Sequence, residues 1–102
     1  MNQITLKRGD TGIGLRATLS NEAGNVDLTD ANVLFFMGKH EIKAGIHDAE
    51  GGVVNVTFNR NHTSKTGIFR AEFEVTYSDG RVEAYPNDDY VQIRIMKDLG
   101  GN

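Results

Sequence analysis

Residues 67–96 read GIFRAEFEVTYSDGRVEAYPNDDYVQIRIM. In the first half of this stretch the apolar residues Phe69, Ala71, Phe73, Val75 and Tyr77 alternate with polar ones. A period of two places successive side chains on opposite faces of a β-strand. The Asp-Gly pair at 79–80 is a hairpin turn signal, and further alternating runs follow at 81–85 and 90–96. The stretch therefore predicts a block of three antiparallel strands, with one face in a hydrophobic core.

The same pattern continues through the rest of the chain. Turn signals recur about every ten residues, as is typical of sandwiches and barrels. Shorter apolar rows lie at 4–6, 13–19, 42–46 and 54–58, a hairpin loop is predicted at 21–25, and residues 59–66 have room for a single helical turn. No segment has a convincing helical period. We predict an all-β fold, a two-layer antiparallel β-sandwich of the immunoglobulin-like type, with about eight strands and no long helix. One domain is expected over residues 1–97, followed by a flexible tail at 98–102.

The composition of the chain bears on which partners are expected for the protein. The chain has 102 residues and a net charge of −3, with 11 scattered basic residues, so no basic patch favours nucleic acid. No apolar run approaches the ~20 residues of a membrane span, and the first residues lack the apolar stretch of a signal peptide. Cysteine is absent, which excludes disulfides and thiolate metal sites. We therefore expect assembly in the cytoplasm, with neither nucleic acid nor a membrane as partner.

Metal ligation is the first chemistry to consider. The candidates are three histidines and two groups of acidic residues, namely His40, His47, His62, Asp48 with Glu50, and Asp79 with Asp88 and Asp89. The histidines lack the close paired spacing of a zinc site. The acidic groups supply fewer ligands than a calcium loop normally brings. We interpret all of them as loop and turn residues, and we predict no metal and no cofactor.

Catalytic and adhesive motifs fail on their context. The Arg-Gly-Asp tripeptide at residues 8–10 is interpreted as a turn between two strands. Gly9, Gly12 and Gly14 superficially suggest a phosphate-binding loop, but a strand pattern follows them where such a loop requires a helix. None of the three serines lies in a nucleophile-elbow motif. The sequence therefore predicts no catalytic residues, and the protein is expected not to be an enzyme.

Residues 33–37, with the sequence VLFFM, are apolar on both faces of the predicted strand. Phe35 is expected to enter the core together with Val33 and Met37. Leu34 and Phe36 then lie on the opposite face, where two interpretations remain open. They pack against a second layer of the same domain, or they contact a partner protein, since exposed apolar patches mark interfaces. Leu34 and Phe36 are thus the candidate partner interface.

Four motifs together resemble one known family, the N-terminal domain of the phage baseplate upper protein, from tailed phages and prophages of Gram-positive bacteria. They are KRGDTG at 7–12, DLTDANV at 27–33, GIFRAEFEVTYSDG at 67–80, and YP at 85–86 followed by YVQI at 90–93. The likeness to the family extends over residues 4–96, and it rests on the order and spacing of these motifs. The resemblance implies an adaptor that docks on the tail or baseplate core and helps to hold fibres or receptor-binding proteins. It carries over no catalytic residue.

The resemblance makes a virion structural module the first hypothesis. Its expected partners are other phage tail or baseplate proteins and further copies of itself, and its expected location is the tail or baseplate of the virion. The alternative is a carbohydrate- or cell-surface-binding β-sandwich module of a phage tail. Sugar-binding platforms usually present exposed aromatic side chains, whereas this chain has no tryptophan and its tyrosines, Tyr77, Tyr85 and Tyr90, fall near predicted strand ends.

Overall fold

The computed structural model describes residues 3–86, 90–97 and 99. These residues form eleven strands and no helix, which confirms the predicted all-β fold. The strands are β1 Gln3–Lys7, β2 Gly12–Thr18, β3 Ser20–Asn21, β4 Gly24–Asn25, β5 Asn32–Met37, β6 His40–Lys43, β7 Gly45–Asp48, β8 Val53–Phe58, β9 Gly67–Thr76, β10 Val82–Tyr85 and β11 Val91–Met96. The excess over the predicted eight comes mainly from the short hairpin β3–β4 and from the division of one predicted strand into two.

Strand β9 is the centre of a six-stranded sheet, in which five strands have the order β1-β11-β9-β5-β6 and β10 also pairs with β9. It is ten residues long, which is enough to pair with β5 along one edge and with both β11 and β10 along the other. The predicted hairpin at 79–80 joins β9 to β10. In that turn the Asp79 carboxylate accepts the backbone N–H of Arg81 at 3.0 Å, and Gly80 adopts a φ of 92°. The three-strand block predicted from residues 67–96 is therefore confirmed.

A second sheet of three strands, in the order β2-β8-β7, forms the other layer. The two layers meet at aromatic side chains, where the Phe35 ring from β5 lies 6.2 Å from the Phe58 ring from β8 and 4.9 Å from Phe73 of β9. Full burial of a phenylalanine stabilises a fold by about 1.5–3 kcal/mol. The core thus lies between the inner face of the large sheet and the small sheet, as expected for a two-layer sandwich.

Strand β2 pairs with β8 in the small sheet, and this pairing contains an irregularity. The register between these strands shifts between residues 13 and 15, so that Gly14 is an extra residue in the ladder. A methyl group at Gly14 would overlap ring carbons Cδ2 and Cε2 of Phe58. Glycine is needed here because the Phe58 ring occupies the space that any side chain would take.

The alternating row predicted at 42–46 is not one strand, and that interpretation was wrong. The chain crosses from the large sheet to the small sheet at Ala44, whose backbone N–H donates to the Val33 carbonyl at 2.9 Å. Ile42 is buried in β6, whereas Ile46, beyond the crossing in β7, is 38% exposed. A change of sheet reverses the side that faces the core, so the two-residue period does not carry through.

The large sheet is not antiparallel throughout, and the exception is its first strand. β1 pairs with β11 in parallel, with Ile4 opposite Ile93 and Leu6 opposite Ile95. Because β2 belongs to the other sheet, the turn after β1 crosses between layers and does not form a hairpin. The apolar residues of β1 then find matching neighbours on the last strand, and these are far away in sequence.

Residues 59–66 form turns and bends in place of the predicted single helical turn. The predicted flexible tail at 98–102 lies outside the described residues except for Leu99, which is exposed. In the described part of the chain no helix has the length and apolar character needed to cross a membrane.

Candidate partner interface

The predicted interface residues lie on the outer face of the large sheet. Along β5, Val33, Phe35 and Met37 are buried toward the small sheet, and Leu34 and Phe36 are half-buried on the other side. The small sheet covers the inner face, so the second layer of this domain does not account for Leu34 and Phe36. Their side chains remain partly accessible on a strand that is paired on both sides.

Charged residues flank this apolar pair on both neighbouring strands. Phe36 pairs with Glu41 of β6 and with Glu72 of β9. Leu34 lies in the next row, which continues through Lys43 and Glu74. We call Leu34, Phe36 and these four charged neighbours the outer patch. The patch has an apolar centre and a charged border, as protein interfaces commonly do.

A shallow depression of about 160 Å³ lies beside Phe36, between β5, β9 and Tyr90, the residue before β11. Tyr90 and Arg70 form part of its wall, and the Arg70 guanidinium carbon lies 5.5 Å from the centre of the Tyr90 ring. Sequence reasoning missed this group, because Tyr90 comes within reach of Phe36 only through the pairing of β9 with both β5 and β11. An arginine stacked near a half-exposed tyrosine is a common composition for the energetic centre of an interface.

Two further apolar side chains continue the outer face beyond the patch. Ile68 of β9 is 63% exposed and pairs with Arg94, and Val82 of β10 is 56% exposed and pairs with Thr76. The outer face of the large sheet is therefore a broad mixed surface, with apolar residues spaced among charges of both signs.

The candidate metal ligands that the structure describes do not assemble into a site. Across residues 3–86, 90–97 and 99, no group of three His, Cys, Asp or Glu side chains is placed to hold a metal ion. His47 is exposed on β7. Asp48 accepts the backbone N–H of Gly51 at 3.1 Å, the role of a turn residue. The candidates Asp88 and Asp89 lie outside the described residues.

Two of the histidines nevertheless meet, which the sequence did not predict. The rings of His40 and His62 lie 5.1 Å apart, centre to centre, although 22 positions separate them in the chain (62 − 40). Burial lowers the pKa of His62, and the nearby His40 lowers it further. The spacing of His40 and His62 in the sequence did not predict this contact, because only the fold brings the turn after β5 next to the loop after β8.

The Arg-Gly-Asp tripeptide forms the predicted turn between β1 and β2. The Asp10 carboxylate accepts the backbone N–H of Lys7 at 2.9 Å, and the Asp10 N–H donates to the Lys7 carbonyl at 3.0 Å. The glycines that suggested a phosphate loop lead directly into strand β2, so the helix that such a loop requires is replaced by a strand.

Three hydroxyl groups make hydrogen bonds within the fold. The Ser64 hydroxyl donates to the Asn61 carbonyl at 3.0 Å. The hydroxyls of Tyr77 and Tyr85 lie 2.9 Å apart. Burial raises the pKa of Tyr77, and its hydrogen bond to Tyr85 raises it further. Tyr77 therefore stays protonated at neutral pH and serves to link the end of β9 to β10.

Comparison with known proteins gave one family and a structural neighbour. The family model of the BppU N-terminal domain matches residues 1–85. The N-terminal domain of phage TP901-1 ORF48 superposes with a TM-score of 0.64 at 14% sequence identity, covering 94% of this chain and 98% of that one. At that identity the likeness concerns the fold. Among curated proteins nothing matches.

Proposed function

The chain belongs to the family of N-terminal domains of the phage baseplate upper protein, BppU, and from this membership we propose that it is a non-catalytic adaptor in baseplate assembly. Membership makes it a structural module of the phage tail and a component of the virion. It also implies contact with other phage tail proteins. The adaptor role adds that residues 1–97 act as one β-sandwich unit whose surfaces hold neighbouring proteins in place.

The outer patch is the observation that carries this proposal. Leu34 and Phe36 project from β5, the strand whose other side holds the centre of the core. A contact built on such a strand loses little conformational freedom on binding, because the backbone is already held by β6 and β9 on either side. The adjacent Tyr90–Arg70 pair supplies the side-chain types that dominate binding energy in interfaces.

Repetition strengthens a modest contact. Symmetric assemblies reuse one surface many times, so about 1,000 Å² per copy is enough for a stable particle. The patch and its surroundings carry both signs of charge, with Lys43 beside Leu34 and Glu41 beside Phe36. A mixed border of this kind suits contact with a second copy as well as with another tail protein. We propose that copies also contact one another in the particle, and that the particle is assembled in the host cytoplasm.

The geometry favours an adaptor over a sugar-binding module. Stacking platforms for sugars present flat aromatic side chains to solvent. Tyr85 is buried in the core and hydrogen-bonded to Tyr77. Of the aromatic residues that the structure describes, Tyr90 is the one whose side chain is more than a third exposed, at 43%. A single ring beside an arginine is a better match for a protein contact than for a glycan.

Co-expression with the tail proteins of the same phage genome tests the proposal. The wild-type chain should co-elute with at least one of them in size-exclusion chromatography. Replacing Leu34→Ser and Phe36→Ser together should abolish co-elution, whereas Ile46→Ser, an exposed apolar residue on the opposite sheet, should leave it unchanged. Circular dichroism and thermal melting confirm that each variant is folded.

A second pair of variants changes only exposed charges, so that a loss of binding is not caused by a loss of folding. Glu41→Lys changes an exposed charge at the border of the outer patch, and Glu22→Lys changes an exposed charge in the β3–β4 turn. Weaker binding by the first variant alone supports the outer patch. Equal binding by both, together with intact binding by the serine variant, would place the contact elsewhere and overturn the proposal. Saturable binding to cell-wall glycans with no protein partner would favour the sugar-binding alternative.

A further inference from the structure

A cavity of about 300 Å³ opens at one end of the sandwich, between the β5–β6 turn and the loop that joins β8 to β9. Met37 and Phe69 give it an apolar side. Its polar side chains are those of Asn61 and Ser64 and of four basic residues, Lys39, His40, His62 and Lys65. Among the described residues that line it, none carries a carboxylate. This concentration of basic groups stands out in a chain with 14 acidic and 11 basic residues.

The loop that forms one wall of the cavity is firmly attached to the rest of the fold. Thr63 is completely buried, and its hydroxyl donates to the Asp10 carbonyl at 2.9 Å. Its own carbonyl accepts the backbone N–H of Gly9 at 3.1 Å. These two hydrogen bonds fasten residues 59–66 to the β1–β2 turn. The neighbouring His62 and Ser64 are therefore presented to the cavity from an anchored backbone.

A hydrogen bond also determines which nitrogen of the neutral His62 ring carries the proton. The backbone N–H of Asn59 donates to Nδ1 of His62 at 3.0 Å, so Nδ1 carries the lone pair and the proton of the neutral ring is on Nε2. The Asn59 side-chain oxygen accepts the backbone N–H of His62 at 3.0 Å, which holds the same geometry from the other side. Burial lowers the pKa of His62, so this neutral form predominates at pH 7.

This tautomer separates two kinds of ligand. A metal ion at Nε2 would need the lone pair there and the proton on Nδ1, where it would oppose the N–H of Asn59. An acceptor oxygen suits Nε2–H directly. The ammonium groups of Lys39 and Lys65 are likewise donors without acceptor capacity. The cavity therefore combines a mostly apolar wall with hydrogen-bond donors and positive charge.

We infer that this cavity binds an anionic oxygen group, a carboxylate or a phosphate, held by Lys39, Lys65 and the Nε2–H of His62. The same chemistry is supplied by an acidic side chain of a protein and by a phosphate-bearing molecule. The site lies at the end of the sandwich, where the β5–β6 turn meets the β8–β9 loop, and not on the face that carries the outer patch. It does not rest on the adaptor role, and it is measured on the isolated chain.

Titration of the ¹⁵N-labelled protein with sodium phosphate and, separately, sodium acetate tests the inference. Ionic strength is held constant with sodium chloride at pH 7, and amide and histidine side-chain shifts are followed by NMR. Saturable shifts should be confined to the turn at 38–40 and the loop at 61–65. Each of Lys39→Gln and Lys65→Gln should weaken binding about two- to five-fold, the range for exposed charge pairs. Lys43→Gln, an exposed lysine outside the cavity, is the matched control.

The two arms of the titration distinguish the source of the anion. Saturation with acetate alone assigns a carboxylate, saturation with phosphate alone assigns a phosphate, and saturation with both assigns the shared chemistry. The inference is wrong if neither salt gives saturable shifts. It is also wrong if the Lys39→Gln, Lys65→Gln double variant binds as tightly as the Lys43→Gln control.

Discussion

Replacing Gly14 with alanine tests the close contact between β2 and β8 within the small sheet. The added methyl group would overlap the ring of Phe58, and that ring has little freedom to move. Phe58 is only 3% exposed, and its ring meets Phe35 edge-on at 6.2 Å and His62 at 6.3 Å. Relief therefore requires β2 to separate from β8 or the core to repack.

The expected loss combines two opposing terms. Overpacking a well-filled core costs about 1–3 kcal/mol, and the confinement of Phe58 places this site near the upper end. Replacing glycine by alanine also restricts the unfolded chain, which returns about 0.4–1 kcal/mol. Gly14→Ala should thus lower the free energy of unfolding by about 2 kcal/mol. For a domain of about 100 residues this corresponds to a fall in Tm of about 10 °C.

Gly45→Ala in β7 is the matched control, because the nearest atom to its added methyl group is the Asn55 carbonyl oxygen at 3.9 Å. Urea and thermal unfolding should show this variant to be as stable as the wild type or slightly more so. Adding Phe58→Leu to Gly14→Ala should give a combined loss smaller than the sum of the single losses, because the smaller side chain admits the methyl group. Equal stability of Gly14→Ala and Gly45→Ala would refute the placement of Phe58 against β2.

Three further predictions concern the core, the anchored loop and pH. Phe73→Ala should cost about 3–5 kcal/mol in urea unfolding, because Phe73 is buried against the other layer, whereas Glu74→Ala on the outer face should change stability by about 0.5 kcal/mol or less. Thr63→Val should cost about 0.5–1.5 kcal/mol, because it removes the hydrogen bond from the buried Thr63 hydroxyl to the Asp10 carbonyl. Since the pKa of His62 is lower in the folded state than its ordinary 6.5, the folded state favours neutral His62. Its contribution to stability should be complete above pH 6.5 and fall as pH drops below that value, a slope that His62→Asn should reduce.

Each of these has an outcome that contradicts it. Equal large losses at Phe73 and Glu74 would show that both faces of β9 are buried. A Thr63→Val variant as stable as the wild type would show that the loop is not held by its hydroxyl. If the free energy of unfolding has the same pH dependence with and without His62, burial does not lower the pKa of His62 in the folded state.

Local alternation was sufficient to predict the strands that carry the core. In β9 the period of two holds from Phe69 to Thr76, so the burial of Phe73 followed from sequence alone. The double-sided run at 33–37 was likewise predicted correctly, with Phe35 inside and Phe36 outside. These predictions succeeded because each depends on neighbours within one strand.

Features that depend on pairing between distant strands were not predictable. The parallel pair β1–β11 joins the two ends of the described chain, and no local pattern specifies that register. The change of sheet at Ala44 was hidden because an alternating row looks the same whichever sheet receives it. The meeting of His40 with His62, and of Phe36 with Tyr90, follows from the relative position of separate strands and loops.

Electron cryomicroscopy of the assembled phage tail is the most direct measurement of the central claim. The sandwich should be found in the baseplate, repeated by symmetry, with a neighbouring protein covering Leu34 and Phe36. A baseplate in which every copy presents those two side chains to solvent, or a tail that lacks the domain, would contradict the adaptor role.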